Sequence, residues 1–278
     1  MAVSISDFTV LNNGVKMPWL GLGVWQGRPE DGEHVENAVK AAVSIGYRSI
    51  DTAAGYENEP GVGRAIKACG VPREEIFITT KVKNPDQGYE STLQAFEISR
   101  KNLDLDYIDL FLVHWPVAGK FKETWRALEK VYEEGLVRAI GVSNFQIHHL
   151  EDLLSEAKVV PAVNQIELHP RLSQVELRQY CKSKGIQVEA WSPLMLGRLL
   201  TDRTVTELAA VYGKTPAQII LRWDLQHGII TIPKSVSADR IAENANLFDF
   251  ELSGNDMAKL DGLNLNERSG PDPDHFDF

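Results

Sequence analysis

Gly46-Tyr-Arg-Ser-Ile-Asp-Thr-Ala-Ala-Gly-Tyr56, read with the residues before it, decides the fold. Upstream, Val35, Ala38, Val39 and Ala42 recur at the spacing that lines one face of a helix. Gly46 closes that helix, because glycine enters the left-handed conformation of the C′ position without a Cβ clash. A short apolar strand (47–50) follows at once, an acid (Asp51) ends it, and a turn delivers a phenol (Tyr56). The same helix–glycine–strand cadence returns at Gly70, Gly135, Gly185 and Gly228.

Working outward, eight apolar runs read as strands: residues 19–24, 47–50, 76–80, 108–113, 139–142, 162–166, 187–190 and 229–232. Amphipathic helices alternate with them, as in the stripes Phe121, Trp125, Leu128, Tyr132 and Ile147, Leu150, Leu154. These stripes are core. Right-handed βα units repeated about eight times suit a closed (β/α)₈ TIM barrel, an α/β fold. A doubly wound sheet would need a reversal of strand order, which the sequence leaves open. Residues 8–18, with Asn13-Gly14 at a turn suited to type I′, predict an N-terminal β-hairpin cap. Segments 204–212 and 216–226 precede the last strand, so one helix is additional to the barrel. Further C-terminal helices are expected near 238–247 and 253–263. The acidic, Pro-containing tail 271–278 is expected to be partly mobile. With no linker or low-complexity tract, residues 1–278 read as one domain.

In such a barrel chemistry collects at the C-terminal ends of the strands. Those ends carry, in order, Trp25, Asp51 with Tyr56, Lys81, His114-Trp115, Ser143-Asn144, Gln165 with Glu167, Trp191-Ser192 and Lys234-Ser235. A free phenol has a pKa of about 10 and is a sluggish acid at neutral pH. A neighbouring ammonium is expected to lower that value, and a carboxylate can hold the ammonium in place. Any one of these residues is ordinarily a solvated charge or a satisfied core group. Four of them, Asp51, Tyr56, Lys81 and His114, ending consecutive units on one rim are hard to ascribe to accident. After the last strand, Lys234-Ser235-Val236 leads into a helix with Arg240, where barrels often hold phosphate at a helix N-terminus.

Composition narrows the field. The chain has 278 residues, 43% hydrophobic and 24% charged, with a net charge of −10. Such a charge argues against nucleic acid or an anionic membrane as partner. No apolar stretch is long enough to span a membrane. The two cysteines, Cys69 and Cys181, form no zinc spacing and suit a reduced, cytoplasmic setting. No signal peptide is evident at the N-terminus. Other motifs fail. Gly21-Leu22-Gly23 lacks the third glycine of a dinucleotide fingerprint, Gln26 standing in its place, and Gly141 to Phe145 lacks the second glycine of a nucleophile elbow. His148 and His149 are adjacent on a helix and are read as surface residues unable to face one metal together.

At this point the motifs resemble those of the aldo-keto reductase family, and more loosely its bacterial 2,5-diketogluconate reductase-like members. The resemblance rests on Leu20-Gly-Leu-Gly-Val-Trp25, Asp51-Thr-Ala-Ala-Gly-Tyr56, Thr79-Thr-Lys81, Leu112-Val-His-Trp-Pro116, Ile140-Gly-Val-Ser-Asn144, Val163-Asn-Gln-Ile-Glu167 and Ile232-Pro-Lys-Ser-Val236, which run through nearly the whole chain. It implies NADPH (NADP+), no metal, and hydride transfer to small aldehydes, dicarbonyls or keto-sugars. By resemblance Tyr56 is the general acid, Asp51 and Lys81 tune it, and His114 orients the substrate. Ser143, Asn144 and Gln165 match the residues that hold the nicotinamide carboxamide, and Trp191 the aromatic that stacks on its ring. Ser192 and Leu194 match the wrap of the pyrophosphate. Lys234, Ser235, Val236 and Arg240 match the grip on the 2′-phosphate, and Glu243 and Asn244 the contacts to adenine. Trp25 and Trp115 are candidate substrate walls; Phe121 is a third, read first as helix core. The family's common habit makes a monomer the expectation.

Three departures stand out. Lys83 replaces a frequent Trp and would favour anionic or sugar-acid substrates. Trp191 replaces a frequent Tyr. The loop 195–201 and the tail look short, which predicts an open pocket. Two rival readings remain: a nicotinamide-binding regulatory or structural protein on the same barrel, and a metal-dependent hydrolase using Asp51, His114 and His169. The second fails on spacing, since no His-x-His pair ends the first strand, and Lys81 would repel a cation.

Overall fold

The computed structural model describes Ala2, residues 4–25 and residues 32–278; Gln26 lies outside that set. The chain opens with a hairpin of β1 (Phe8–Val10) and β2 (Lys16–Pro18). Strands and helices then alternate: β3 (Leu22–Gly23), α1 (Gly32–Ile45), β4 (Ser49–Asp51), α2 (Glu59–Ala68), β5 (Phe77–Val82), α3 (Tyr89–Leu103), β6 (Ile108–Val113), α4 (Phe121–Glu133), β7 (Val137–Ser143), α5 (Ile147–Leu154), β8 (Val163–Glu167), α6 (Val175–Ser183) and β9 (Gln187–Trp191). The helices α7 (Arg203–Tyr212) and α8 (Pro216–Gln226) follow, then β10 (Ile230–Thr231), α9 (Ala238–Ala245) and α10 (Gly254–Asp261).

From β3 to β10 the strands lie in sequence order in one parallel eight-stranded sheet. Backbone bonds close it: Gly21 N–H donates to Thr231 O at 3.0 Å, Thr231 N–H to Trp19 O at 3.1 Å, and Gly23 N–H to Pro233 O at 3.3 Å. Closure removes the sheet edges. It also needs a glycine at the seam, since a Cβ on Gly23 would lie 2.9 Å from Ile232 O. The glycines Gly46, Gly70, Gly135, Gly185 and Gly228 all take positive φ, as the helix–strand cadence requires. Thr215 and Gln218 cap α8 reciprocally, with Pro216 at its first turn.

Two apolar cores result. The larger fills the space between sheet and helices, with Val39, Phe96, Trp125, Leu150 and Trp223 among its members. The smaller, Leu11, Met17, Phe77, Leu110, Leu112, Ala139, Ala162, Val163 and Ile230, fills the lower barrel interior. Leu11 and Met17 come from the hairpin, which therefore plugs the N-terminal end of the barrel. Its turn is not the expected type I′. Of Asn13 and Gly14 only Gly14 has positive φ (85°); its N–H donates to Leu11 O at 2.9 Å and Leu11 N–H to Val15 O at 2.8 Å. Asn13 is held otherwise, its Nδ2 donating to Arg138 O at 2.9 Å and its Oδ1 accepting from Val15 N–H at 3.2 Å.

At the opposite end the tail corrects the expectations of mobility and an open pocket. Leu265 and Glu267 N–H both donate to Arg171 O at 3.1 Å. Ser269 donates to Glu167 Oε1 from its backbone (2.6 Å) and its hydroxyl (2.5 Å), and Gly270 N–H donates to Glu167 Oε2 at 3.2 Å. Asp274 meets His148 Nε2 at 3.0 Å. Phe276 lies tilted over Trp115 and Phe278 meets it edge-on, with centroids 5.0 and 5.2 Å away, and Asn84 Nδ2 donates to Phe278 O at 2.8 Å. The tail is a strap across the barrel mouth.

Met17 is fully buried in the lower plug. Met17→Ala should cost about 2–5 kcal/mol by leaving a cavity, measured as a lowered urea midpoint. A Cβ on Gly270 would lie 2.4 Å from Trp191 Cη2. Gly270→Ala should therefore lift the strap, read as faster proteolysis within residues 266–278 at unchanged global stability.

Candidate active site

Strand pairing gathers the rim residues. In register, Gly23 faces Asp51, Lys81 faces Leu112, and Gln165 lies beside both Ser143 and Glu189. Side chains alternate between the two faces of a strand, so Asp51, Lys81, Gln165 and Glu189 share the barrel interior.

The centre is an ion pair. Lys81 Nζ lies 2.7 Å from Asp51 Oδ1 and donates to Thr52 O at 2.8 Å; lysine and aspartate are 0% and 4% exposed. The second Asp51 oxygen, Oδ2, accepts from Gln165 Nε2 at 2.7 Å. The other hydrogen of that amide goes to Glu189 Oε2 at 2.8 Å. Lys81 Nζ sits 5.1 Å from the centroid of the Tyr56 ring, and Tyr56 meets the His114 ring edge-on at 5.8 Å. A 3₁₀ turn, Ala54–Tyr56, presents the phenol. The four rim residues predicted together are therefore together.

Their electrostatics differ from the simple expectation. Burial raises the Tyr56 pKa, and Lys81 only partly offsets it. The physical reason is that the ammonium is already neutralised by Asp51. Burial also pushes Lys81 down, but Asp51 and Tyr56 outweigh it, so its pKa ends raised and it keeps its charge. Burial, aided by Lys81, drives His114 to about 3, so its imidazole is neutral at ordinary pH. Glu189 was not singled out in the sequence. Burial and the nearby Asp51 push it up to about 8.

The residues matched to a cofactor interlock beside this centre. Ser143 Oγ donates to Gln165 O at 2.8 Å. Asn144, at φ 66°, donates from Nδ2 to His114 O at 3.0 Å and to Ser143 Oγ at 3.2 Å. Its Oδ1 accepts from Trp191 Nε1 at 2.8 Å, which fixes the plane of the indole. Gly270 packs against that ring. Ser192, at φ 51°, lies 3.4 Å from the Ser269 hydroxyl, and Leu194 follows half-buried. Lys234, Val236 and Arg240 are exposed, whereas Ser235 is buried with its Oγ accepting from Ser237 N–H at 3.1 Å. Glu243 Oε1 accepts from Thr215 Oγ1 at 2.8 Å, and Asn244 is buried. Trp25 is 46% exposed at the mouth, while Trp115 is 7% exposed beneath Phe276 and Phe278. Phe121 packs on Phe145 inside the helix layer, as core rather than as a wall of the mouth. Lys83 is exposed and reaches Asp86 at 3.6 Å.

His169 does not join Asp51 and His114. It is buried against Glu167, Nε2 to Oε1 at 3.1 Å. Among the described residues, the group of three metal-capable side chains that come together is His148, His149 and Asp274. The two rings do converge, with centroids 4.0 Å apart, because His149 turns back to cap its own helix. His149 Nδ1 accepts from Gln146 N–H at 3.1 Å. In the neutral ring Nε2 then carries the hydrogen and has no lone pair for a metal. The expectation that these two histidines cannot face one metal together is nonetheless corrected: their ring nitrogens and an Asp274 oxygen lie within 4.8 Å of one another. No helix among the described residues is long and apolar enough to cross a membrane.

Comparison with known proteins agrees with this geometry. The chain is 60% identical to glyoxal reductase of Bacillus subtilis (strain 168) over 278 residues, covering 100% of both chains. It is 48% identical to methylglyoxal reductase DkgA of Escherichia coli (strain K12), covering 96% of each. A Gox0644 mutant crystallised in complex with NADPH superposes with a TM-score of 0.92 at 43% identity, covering 98% of both chains. Residues 19–265 match the profile of the aldo/keto reductase family. On the barrel, the rim and these relatives together, the chain belongs to the aldo/keto reductase family and is an oxidoreductase.

Proposed function

We propose that this protein reduces small aldehydes, dicarbonyls or keto-sugars to alcohols with NADPH, and that Tyr56 gives the proton. The observation that carries the reading is the buried Asp51–Lys81 pair set behind Tyr56 and His114 on the barrel rim. The names of the relatives, glyoxal and methylglyoxal reductases, point to the same class of substrate. The NADPH bound to Gox0644 supports the cofactor.

The residues present fit that cofactor. Trp191 offers an indole held flat by Asn144, a stacking surface for a planar ring. Gln165 spends both amide hydrogens on acids, so its carbonyl oxygen is the group that remains to accept from a carboxamide. Ser143 and Asn144 lie on the neighbouring strand end, bonded to the Gln165 backbone carbonyl and to the Trp191 indole. Ser192 and Leu194 border the path of a pyrophosphate. Lys234, Ser235, Val236 and Arg240 open α9, where cations and a helix N-terminus suit a phosphate. Glu243 and Asn244 lie further along α9 for adenine. When bound, the cofactor supplies the hydride.

The chain supplies the rest. Trp25, Trp115 and the strap wall in a small carbonyl compound. His114, being neutral, donates a hydrogen bond to the carbonyl oxygen without competing for its proton. As the electron pair of the C=O bond moves onto oxygen, the Tyr56 hydroxyl hands over its proton and the alcohol forms. A raised phenol pKa keeps that proton in place until the oxygen becomes basic. Lys81 stabilises the phenolate that is left, which then regains a proton from water. Lys83 shares its charge with Asp86, which tempers the preference for anionic substrates.

Two measurements test this reading. Tyr56→Phe should lower kcat/KM for methylglyoxal by about 10²–10⁴-fold while NADPH affinity changes little; near-normal turnover would remove Tyr56 from the role. Arg240→Ala should weaken NADPH binding about 10–100-fold, as expected for a lost charge-assisted contact, and leave NADH unaffected. Equal losses for both cofactors would place the 2′-phosphate elsewhere.

A further inference from the structure

Inside the barrel, one ionisable group has no part in the steps above. Glu189 is fully buried in the middle of β9, on the register level of Gln165. Its Oε2 accepts one hydrogen of Gln165 Nε2, and Asp51 Oδ2 accepts the other. Two carboxyl groups therefore hang from a single amide nitrogen, one on each hydrogen. Among the described residues the other Glu189 oxygen, Oε1, has no hydrogen-bond partner.

We propose that Glu189 is a positioning residue for the reductase chemistry, fixing the Gln165 amide toward the cofactor and setting the balance of charge around Tyr56. The inference rests on the cofactor and proton-donor reading above and adds to it a group that touches neither substrate nor cofactor.

The argument starts from the amide. An amide beside one carboxylate can flip when that partner moves. Beside two acids, both hydrogens are committed and the oxygen is turned away from both. Gln165 then presents a fixed acceptor to whatever carboxamide lies over it.

Charge gives the second half. A buried carboxylate is costly unless several donors serve it. Glu189 has one donor, and that donor is shared with Asp51. The titratable groups that act on Glu189 or feel it are Asp51 on β4, Lys81 on β5 and Tyr56 on the turn after β4. From β8 it meets the uncharged Gln165, and its register partner on β10 is Ile230. Asp51 already satisfies Lys81, so no cation is left over for a second anion. The acid form is the stable one at neutral pH, in line with a titration pushed up to about 8. With Glu189 protonated, Asp51 and Lys81 cancel and Tyr56 sees a neutral surround. When Glu189 ionises, the cluster gains a negative charge that opposes formation of the Tyr56 phenolate. Tyr56 becomes a weaker acid, and reduction slows as pH rises.

The test compares wild type with Glu189→Gln, an isosteric change that keeps an acceptor for Gln165 and cannot ionise. Methylglyoxal reduction at saturating NADPH is followed from pH 6 to 10. In wild type, kcat should fall along an alkaline limb. The ratio of variant to wild-type kcat should rise about tenfold between pH 7 and pH 9, as expected when a group titrating near 8 passes to its ionised form. A ratio that stays flat overturns the proposal, because a merely structural Glu189 would scale kcat equally at every pH.

A second measurement needs neither variant nor turnover. In wild type labelled with ¹³C at the glutamate carboxyl carbons, one resonance should titrate several units above the rest. Glutamate resonances that all titrate near the ordinary value overturn the proposal. If wild type reduces no carbonyl while that resonance still titrates high, the failure lies with the functional reading and with the role built on it, and the charge state of Glu189 is separately established.

Discussion

Everything at the upper end of this barrel depends on one buried ion pair. Lys81 and Asp51 are almost wholly removed from water and lie 2.7 Å apart. Removing two charges from water is expensive, and attraction repays it only when the remaining donors and acceptors are satisfied. Here they are. Lys81 has the Thr52 carbonyl as a second acceptor, and Asp51 has the Gln165 amide on its other oxygen. The bonds that make the pair tolerable also run outward to β8 and, through Glu189, to β9. A pair set behind Tyr56 is thus anchored on four strands, and the rim cannot shift one of them without exposing a charge.

This places the apolar and polar parts of the barrel interior in sequence along its axis. The lower half is closed by the hairpin and filled by Met17, Leu110, Leu112 and Ile230. The upper half is a cluster of hydrogen-bonded polar groups. The lower plug excludes water from below, which keeps the dielectric low around the ion pair. Low dielectric is also what holds His114 neutral and makes Tyr56 reluctant to ionise. The plug bears on the polar cluster through solvent exclusion and through neighbours in register, Leu112 beside Lys81 and Ile230 beside Glu189.

Much of this was legible in the sequence, for a local reason. A strand and the glycine before it are set by neighbours within a dozen residues, and in a barrel each strand end must point to the same mouth. Asp51, Lys81, His114, Ser143, Gln165 and Trp191 could therefore be placed on one rim from their positions alone. Glu189 could not. A glutamate between Val188 and Ala190 is an anomaly in an apolar run, and that was the available signal. Its meaning depends on the register of β9 against β8 and on Asp51 far away in the chain. The acidity of Tyr56 was misjudged for a related cause: proximity to Lys81 was visible, but neither the depth of burial nor the prior claim of Asp51 on the ammonium was.

The tail makes the same point in reverse. Residues 271–278 have the composition of a loose end, and composition is all a short segment offers. What binds the strap is Glu167, 102 residues before Ser269, together with Trp115 and Asn84. Glu167 carries its charge in a buried place: burial would raise its pKa, but His169 and the Ser269 donors bring it below the usual value. An ionised Glu167 holds Ser269 and Gly270 beside the Trp191 ring, whose indole nitrogen is held by Asn144. The same strap ends in Phe276 and Phe278 over Trp115. One segment therefore packs against the Trp191 ring and covers Trp115. Shortness of the tail does not leave the mouth open; one short segment makes both contacts, held by a carboxylate that only the folded barrel brings within reach.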